Sequence, residues 1–207
     1  MFISPIDLCH TLRCLKKYIT MDASVISSSC FMGHVMQDLQ MQYNSPTLGF
    51  YFWVPDYIEF LQHLEFYLTK AKIIFVEHSK YPIGDNRCRA WEHWFPVDLL
   101  DGKVEILFLR YHSEEELAEK WYRRASRVNF DKFFGEMGQN LCMENKIREL
   151  NALPFTNKYF FSSKNISLPS KIFMKEFENM KRLENCKKGH MFYRKFLKGK
   201  KNRDMYA

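Results

Sequence analysis

Residues 23–55 read ASVISSSCFMGHVMQDLQMQYNSPTLGFYFWVP, and their pattern decides how the rest of the chain is interpreted. The run Ser24–Ser29, with two β-branched residues near its start, predicts a strand that ends in small polar residues. Residues 33–39 predict a short helix, and the apolar run Leu48–Trp53 predicts a second strand buried on both faces. In an open α/β sheet, ligands bind beyond the carboxyl ends of the strands. This stretch therefore predicts a binding site at a sheet edge, although it does not name a reaction.

The remaining chain alternates strands and helices. The predicted strands lie at Lys72–Val76, Val104–Leu109, Phe133–Met137 and Lys158–Phe161, and the predicted helices at residues 55–70, 114–128, 143–150 and 169–185. Residues 77–98 show no periodicity and predict a long connection. This alternation predicts a single three-layer α/β/α domain over residues 23–185, with a mixed or mainly parallel sheet. Residues 1–22 predict an N-terminal helix, and residues 186–207 predict a basic C-terminal tail.

Composition limits the class of protein. The chain has 207 residues, of which 46% are hydrophobic, enough for one domain with a buried core. Its longest apolar stretch, Leu48–Val54, is far shorter than the roughly 18 residues of a membrane-spanning helix. The first residues lack the apolar segment of a secretory signal, which predicts a cytoplasmic protein. Six scattered cysteines show neither a C-x-x-C pair nor zinc-finger spacing, so we expect reduced thiols and no metal site.

Positive charge is concentrated at the C-terminus. Residues 181–207 hold ten Lys/Arg residues and two acidic residues, in a chain whose net charge is +7. The simpler interpretation is a solvated tail that keeps the protein soluble. The second is peripheral contact with an anionic membrane surface at the inner membrane face, where each basic residue contributes roughly 1 kcal/mol. No nucleic-acid partner is expected.

Cys30 and His34 are the first candidates for catalysis. Cys30 follows the first predicted strand and precedes a helix, whose N-terminus favours the thiolate form of a cysteine. His34 comes one helical turn later and could serve as the base of a cysteine–histidine pair. The alternative is a small buried thiol and a surface histidine. Composition alone favours this alternative, because free cysteine mostly behaves as a buried apolar residue.

Polar residues at two neighbouring strand ends are candidates for substrate binding. Ser28, Ser29, Asn44 and Thr47 would line the same rim and could bind sugar hydroxyls or phosphate through hydrogen bonds. Turn and cap chemistry explains these residues equally well, because short polar side chains commonly bond to nearby backbone groups.

Basic residues near the fourth predicted strand form another candidate group. Arg110 and His112 stand at its carboxyl end, and the following helix carries Arg123, Arg124 and Arg127. Together they could bind an anionic group such as a pyrophosphate. For the helix residues, the alternative is a solvated basic face that complements the helix dipole. Arg110 is better placed because it follows the strand directly.

Signals for several enzyme classes are absent. The chain contains no G-x-G-x-x-G, G-x-x-x-x-G-K-[ST], H-E-x-x-H or G-x-S-x-G motif. NAD-dependent oxidoreductases, P-loop enzymes, zincins and ordinary α/β-hydrolases are therefore disfavoured, and the sequence names no cofactor.

Four blocks carry a family resemblance. They are Ile26–Cys30 with Gly33; Tyr43–Gly49 with Pro55–Ile58; Phe95–Pro96 with Val104–Ile106, Phe108–Tyr111, Ser113–Glu116, Lys120–Trp121 and Arg123–Arg124; and Leu153–Phe155 with Asn157–Lys158. With these blocks the sequence resembles the bacterial DUF1919 family, often labelled as exopolysaccharide or capsule biosynthesis proteins. The resemblance implies a three-layer α/β fold and an association with surface-polysaccharide biosynthesis, without an established reaction. The family pattern has asparagines at Ser28 and Ser29 and a histidine at Arg110, so His112 would replace that histidine if it is catalytic.

Two functions stay open on the sequence. The first is a transferase that moves an acyl or other group onto a sugar or lipid-linked sugar precursor. Cys30 would be its nucleophile or would orient the substrate, Asn44 and Thr47 would position the sugar, and Arg110 would hold an anionic donor or lipid phosphate. The second is a non-catalytic binding or scaffold protein at the membrane face of a polysaccharide assembly, held there by the basic tail. The missing catalytic motifs favour binding, whereas the crowding of polar residues at strand ends favours an enzyme.

Overall fold

The computed structural model describes residues 5–17, 19–90, 95–109, 111–138, 144–155, 157–164, 166–173, 193–194 and 197–198. Seven helices lie in this part of the chain: α1 (Pro5–Lys16), α2 (Phe31–Asp38), α3 (Val54–Gln62), α4 (Leu64–Thr69), α5 (Pro82–Ala90), α6 (Glu114–Ala125) and α7 (Glu144–Ala152). The strands of the same part are β1 (Ser24–Ser27), β2 (Tyr51–Phe52), β3 (Ile73–Val76), β4 (Val97–Leu100), β5 (Val104–Leu107), β6 (Phe133–Gly138), β7 (Lys158–Ser162) and β8 (Lys171–Phe173).

The strands form two four-stranded sheets, and the α/β class is confirmed. One sheet has the order β1-β6-β7-β8 and is parallel throughout, while the other has the order β2-β5-β4-β3 and is antiparallel. The two sheets meet where the chain leaves β1: the backbone N–H of Phe52 in β2 donates to the carbonyl of Ser28 at 3.0 Å. This contact sets the first strand end directly beside the antiparallel sheet.

The larger core lies between α3, α6 and the sheets and contains several large aromatic side chains. Trp121 on α6 is fully buried and stacks on Phe50, with ring centroids 6.0 Å apart. Tyr57 on α3 is also fully buried, and its hydroxyl donates to the carbonyl of Ile26 in β1 at 2.8 Å. The Tyr57 ring buries apolar area while its hydroxyl reaches a backbone acceptor, so it fixes α3 against β1.

A second core packs α1 and α2 against the parallel sheet. Its members include Leu15, Phe31 and Phe134, and Phe31 meets Phe161 edge-on at 5.4 Å. Tyr193, which lies within the predicted basic tail, is buried there and donates a hydrogen bond to Asp38. At least this part of the C-terminal segment therefore packs on α2, whereas most of residues 174–207 lie outside the described residues.

Two predicted elements between residues 48 and 70 differ from the observed ones. The expected strand at Leu48–Trp53 shrinks to β2, because Gly49 has a φ of 95° and Trp53 already precedes α3. The helix expected at residues 55–70 is interrupted at His63, whose φ of −124° and ψ of 36° separate α3 from α4. The chain is thereby redirected while both helices keep their apolar residues in one core.

The segments 77–98 and 169–185 were also predicted incorrectly where they are described. The segment 77–98, expected to be a connection, contains α5 and the first residues of β4. The helix was not predicted because α5 lacks the apolar stripe that signals a helix. The helix expected at 169–185 begins instead as β8, which pairs in parallel with β7, and residues 174–185 lie outside the described residues. No helix in the described part of the chain is long and apolar enough to span a membrane.

Candidate functional site

The site is built on the turn that joins β1 to α2. Ser28 and Ser29 follow the strand, and Cys30 occupies the position before the first residue of α2 without capping it through its side chain. The hydroxyl of Ser29 instead accepts from the backbone N–H of Phe31 at 3.3 Å. Because the serine satisfies this helix-start N–H, the cysteine side chain is left to face the neighbouring cleft.

Ser28 and Ser29 do not form the expected rim. Both are buried, at 0% and 4% exposure, and neither lines the cleft described below. The Ser27 hydroxyl donates to the carbonyl of Ser29 at 2.8 Å, which shows that this turn is held from inside the protein. The sequence pattern predicted the turn correctly, but the side chains of Ser28 and Ser29 are buried in the turn and do not line the cleft.

Asn44 and Thr47 bond to the free edge of β1. The Asn44 carboxamide accepts from the backbone N–H of Val25 at 3.4 Å and donates to the carbonyl of Ala23. The Thr47 hydroxyl accepts from the backbone N–H of Ser27 at 3.0 Å, and Thr47 is fully buried. These side chains take the place of a neighbouring strand at a sheet edge, where backbone groups would otherwise be unpaired. Their expected position on the rim is therefore corrected.

A cleft opens beside the turn, between α2, the loop before β2 and α6. Its volume is about 170 Å³, and its lining residues are Cys30, Gly33, His34, Gln37, Tyr43, Leu48, Gly49, Tyr111, Lys120 and Arg124. Three of the residues predicted from the sequence, Cys30, His34 and Arg124, thus share one cavity. No aspartate or glutamate is among these lining residues, so the charge presented by the described part of the cleft is positive.

Arg124 reaches the cleft from α6 and is held by neutral groups. Its Nη1 donates to the hydroxyl of Tyr111 at 3.0 Å and to the carbonyl of Leu48 at 3.5 Å. Its guanidinium carbon lies 5.0 Å from the ring centroid of Tyr43, a cation–π distance. The Tyr43 hydroxyl in turn donates to the carbonyl of Gly33 at 2.9 Å, so the aromatic support of Arg124 is itself anchored on α2.

Lys120 supplies a second cation one helical turn before Arg124. Its Nζ lies 5.1 Å from the centroid of the Tyr111 ring and forms an ion pair with Glu116. Burial raises the pKa of the Tyr111 hydroxyl, so it stays a neutral donor and acceptor at ordinary pH. The cleft therefore combines two cations with a neutral phenol between them.

Cys30 and His34 line the same wall of the cleft. The Cys30 thiol donates to the carbonyl of Phe50 at 3.9 Å, a sulfur hydrogen bond that crosses from α2 to the loop before β2. His34 lies one turn along α2, where its backbone N–H meets the carbonyl of Cys30 at 3.4 Å. A thiol and an imidazole on adjacent turns beside two cations form an arrangement that suits attack on an electrophile with a negatively charged substituent.

Of the two remaining predicted residues, only His112 belongs to the described part of the chain. His112 is exposed in the bend before α6 and does not line the cleft, so its expected catalytic place at the strand end is corrected. Arg110 lies outside the described residues. Ser113 beside them does start α6 as predicted, because its hydroxyl accepts from the backbone N–H of Glu116 at 3.2 Å.

Sequence reasoning missed Tyr43, Tyr111 and Lys120. Tyr43 immediately precedes the selected Asn44, and Tyr111 lies between the two selected residues Arg110 and His112. Lys120 precedes Arg124 by four positions, and side chains at that spacing share one helix face. The helix spacing was a usable signal, whereas the tyrosines have no local pattern that separates them from core aromatics.

A buried carboxyl group lies beneath the turn. Glu136 in β6 is fully buried beside Ser27, whose hydroxyl is 2.6 Å from Glu136 Oε2. Burial raises the pKa of this carboxyl from 4.5 to about 8. The Ser27 hydroxyl is within donating distance of both Glu136 Oε2 and the Ser29 carbonyl, so it links the carboxyl to the turn. The carboxyl thereby supports the turn that carries Cys30.

Comparison with known proteins identifies the family. The family model described as "Domain of unknown function (DUF1919)" matches residues 7–204. The chain belongs to the DUF1919 family. A relative from Haemophilus influenzae, described as an uncharacterized protein, is 31% identical over 193 residues, which cover 92% of this chain and 84% of that protein. For this DUF1919 protein, no group of three or more His, Cys, Asp or Glu residues in the described part of the chain is arranged to hold a metal ion.

Proposed function

We propose that this DUF1919 protein is a transferase that modifies a sugar or lipid-linked sugar precursor during the synthesis of surface polysaccharide. One observation carries the proposal: the cleft joins a thiol, an imidazole and an arginine, Cys30, His34 and Arg124. The first two are the groups of nucleophilic catalysis, and the third is a receptor for an anionic donor or acceptor. The polysaccharide context rests on the family resemblance.

The proposed chemistry is acyl transfer in two steps. In the first step the Cys30 sulfur attacks the carbonyl of an acyl donor, its proton passes to His34, and the donor's leaving group departs with that proton. In the second step a sugar hydroxyl attacks the resulting thioester and gives its proton to His34. The ester forms, the carbon–sulfur bond breaks, and the proton returns to the thiol.

A specific contact favours the alternative of a non-catalytic binding protein. The Cys30 thiol already donates to the Phe50 carbonyl, as structural thiols commonly do. The cleft would then bind a sugar precursor through its cations and aromatic rings without reacting with it. Both versions place the ligand in the same cavity, so variants of Cys30 and Arg124 separate them.

The test is the composition of the surface polysaccharide in cells that carry single variants. Loss of a substituent with Cys30→Ala and with His34→Ala, measured by mass spectrometry, is the result expected for the transferase. Cys14→Ala is the matched control, because Cys14 is another half-buried cysteine that lies on α1, outside the cleft. An unchanged composition with Cys30→Ala, together with a changed one in Arg124→Lys, would leave binding as the function.

Peripheral contact with the inner membrane face, in a cytoplasmic protein, is a second part of the proposal. Deleting residues 187–207 would also remove the buried Tyr193 and could unfold the protein, so substitutions that remove only the positive charges of this segment are the better test. Replacing Lys187, Lys188, Lys200 and Lys201 by glutamine should weaken co-sedimentation with vesicles that contain anionic lipid. Equal co-sedimentation of the variant and the parent protein would contradict the membrane contact.

A further inference from the structure

Arg124 has no acidic partner among the described residues, unlike the adjacent Arg123. Arg123 on the same helix pairs with Glu119 at 2.9 Å, and Arg148 on α7 pairs with Glu144 at 2.6 Å. Arg124 is half-buried in the cleft, and within the described ranges it makes no ion pair. A partly desolvated guanidinium without a counter-charge is costly, and an anionic ligand would remove that cost.

The contacts of Arg124 leave one edge of its guanidinium available. Nη1 is occupied by the Tyr111 hydroxyl and the Leu48 carbonyl, and the Tyr43 ring covers one face. Among the residues that the structure describes, none accepts a hydrogen bond from Nε or Nη2. These two groups form a parallel pair of donors that matches two oxygens of one phosphate or carboxylate.

The surroundings favour a compact group with more than one negative charge. Lys120 lies on the same face of α6 and also lines the cleft, so two cations share it. Ligand pockets for drug-sized molecules measure roughly 300–1,000 Å³, and this cleft of about 170 Å³ is smaller. A phosphoryl group carries up to two negative charges in a small volume, whereas a carboxylate carries one.

The lining of the cleft leaves open space at Gly49. Gly49 adopts a φ of 95°, and no atom lies within 4 Å of the position that a Cβ would occupy there. Gly33 lies next to Gly49 and close to the Tyr43 hydroxyl: an added Cβ would be 3.6 Å from the Gly49 nitrogen and 3.3 Å from that oxygen. Larger residues at either place would strain the backbone or displace Tyr43, the aromatic support of Arg124.

We infer that the cleft binds the phosphoryl group of a phosphorylated sugar or of a diphosphate-linked sugar precursor. Arg124 would hold two phosphoryl oxygens through Nε and Nη2, and Lys120 would supply the second positive charge. This inference deepens the proposed function and rests on it only for the sugar part of the ligand. The phosphoryl site itself is tested without any turnover.

Isothermal titration of the purified full chain measures the site directly. The probes are inorganic phosphate, pyrophosphate, glucose 1-phosphate and uncharged glucose. Arg124→Lys keeps the charge but removes the paired donors, and it should weaken the binding of the phosphorylated probes at least tenfold. Arg123→Lys is the matched control, because its arginine is already paired with Glu119, and it should change affinity less than twofold. Equal affinities for glucose and glucose 1-phosphate, or equal weakening by both variants, would overturn the inference.

A second variant keeps the test decisive if Arg124→Lys folds poorly. Glu116 competes with the ligand for Lys120, so Glu116→Gln should strengthen phosphate binding about twofold to fivefold. Glu119→Gln, which releases the exposed Arg123, is its control. Unchanged or weaker phosphate binding in Glu116→Gln would count against a phosphoryl site at this place.

Two further probes identify the source of the phosphoryl group. A nucleoside diphosphate sugar represents a soluble donor, and a short prenyl diphosphate represents a lipid carrier. The probe that binds more tightly than inorganic phosphate, and whose binding is weakened by Arg124→Lys, identifies the source. If Arg124→Lys weakens the binding of neither probe, the inference is overturned. If Cys30→Ala leaves the polysaccharide unchanged in cells while Arg124→Lys weakens phosphate binding by the purified chain, the transferase proposal fails and the phosphoryl site stands.

Discussion

The substitution Glu136→Gln tests how the β1–α2 turn depends on a neutral carboxyl. Burial raises the pKa of Glu136 from 4.5 to about 8, so the folded protein holds a proton that the unfolded chain releases above pH 4.5. Stability contributed by this group is therefore fully present below pH 4.5 and is lost as pH rises towards 8. A glutamine keeps the size and stays neutral at every pH, and its amide oxygen can accept from the Ser27 hydroxyl as the carboxyl oxygen does.

The magnitude follows from the width of this window. Each pH unit between the unfolded and folded pKa values changes the free energy of unfolding by about 1.4 kcal/mol. The stability of Glu136→Gln relative to the parent protein should thus grow by about 4 kcal/mol between pH 5 and pH 8. Any pH-independent effect of the amide on the free energy of unfolding cancels, because the prediction concerns only how the difference between the two proteins changes with pH.

Urea unfolding followed by tryptophan fluorescence at pH 5, 6, 7 and 8 measures the prediction. Glu65→Gln on the exposed side of α4 is the matched control. Asp98→Asn extends the test, because burial also raises the pKa of Asp98 to about 8. Parallel stability curves for Glu136→Gln and the parent protein would refute the neutral carboxyl and the support that it gives to the turn.

Three other substitutions test local contacts by chemical unfolding. Thr47→Val leaves the buried backbone N–H of Ser27 without its acceptor and should cost about 1–3 kcal/mol, whereas Thr47→Ser should cost less. Ser113→Ala removes the cap that accepts from Glu116 and should cost about 1 kcal/mol; a loss below a few tenths would contradict the cap. Gly49→Ala meets no atom but must keep a φ of 95°, so it should cost about 1–2 kcal/mol, and an unchanged midpoint would exclude strain there.

Local signals predicted several elements correctly. The capping residue Ser113 and the apolar stripe of Leu117, Trp121 and Ala125 predicted α6, because cap and stripe both lie within one stretch of chain. Strands β1 and β6 were also predicted correctly, because each is a short run with apolar residues that can be recognised within one stretch of chain. The α5 helix and β8 were missed, since neither carries a periodic apolar pattern that separates it from a loop or a helix.

The candidate site was predicted in part. Cys30, His34 and Arg124 were selected for their chemistry and do share the cleft. Ser29 and Thr47 were selected for the same reason, yet they bond to backbone groups of the turn and of β1. Polar residues near strand ends look alike in sequence whether they face a ligand or the interior, because only the packed structure decides which partner they meet.

The sequence alone determined the family, the α/β class and the candidate residues, because these depend on residue types and short spacings. Tertiary structure decided the division into two sheets, the burial of Glu136, and the closeness of Arg124 to Cys30, which lie 94 positions apart in the chain. Burial and long-range contact arise only when distant segments pack together. The lack of an acidic partner for Arg124 among the described residues is likewise a property of the folded cleft and of no single stretch of residues.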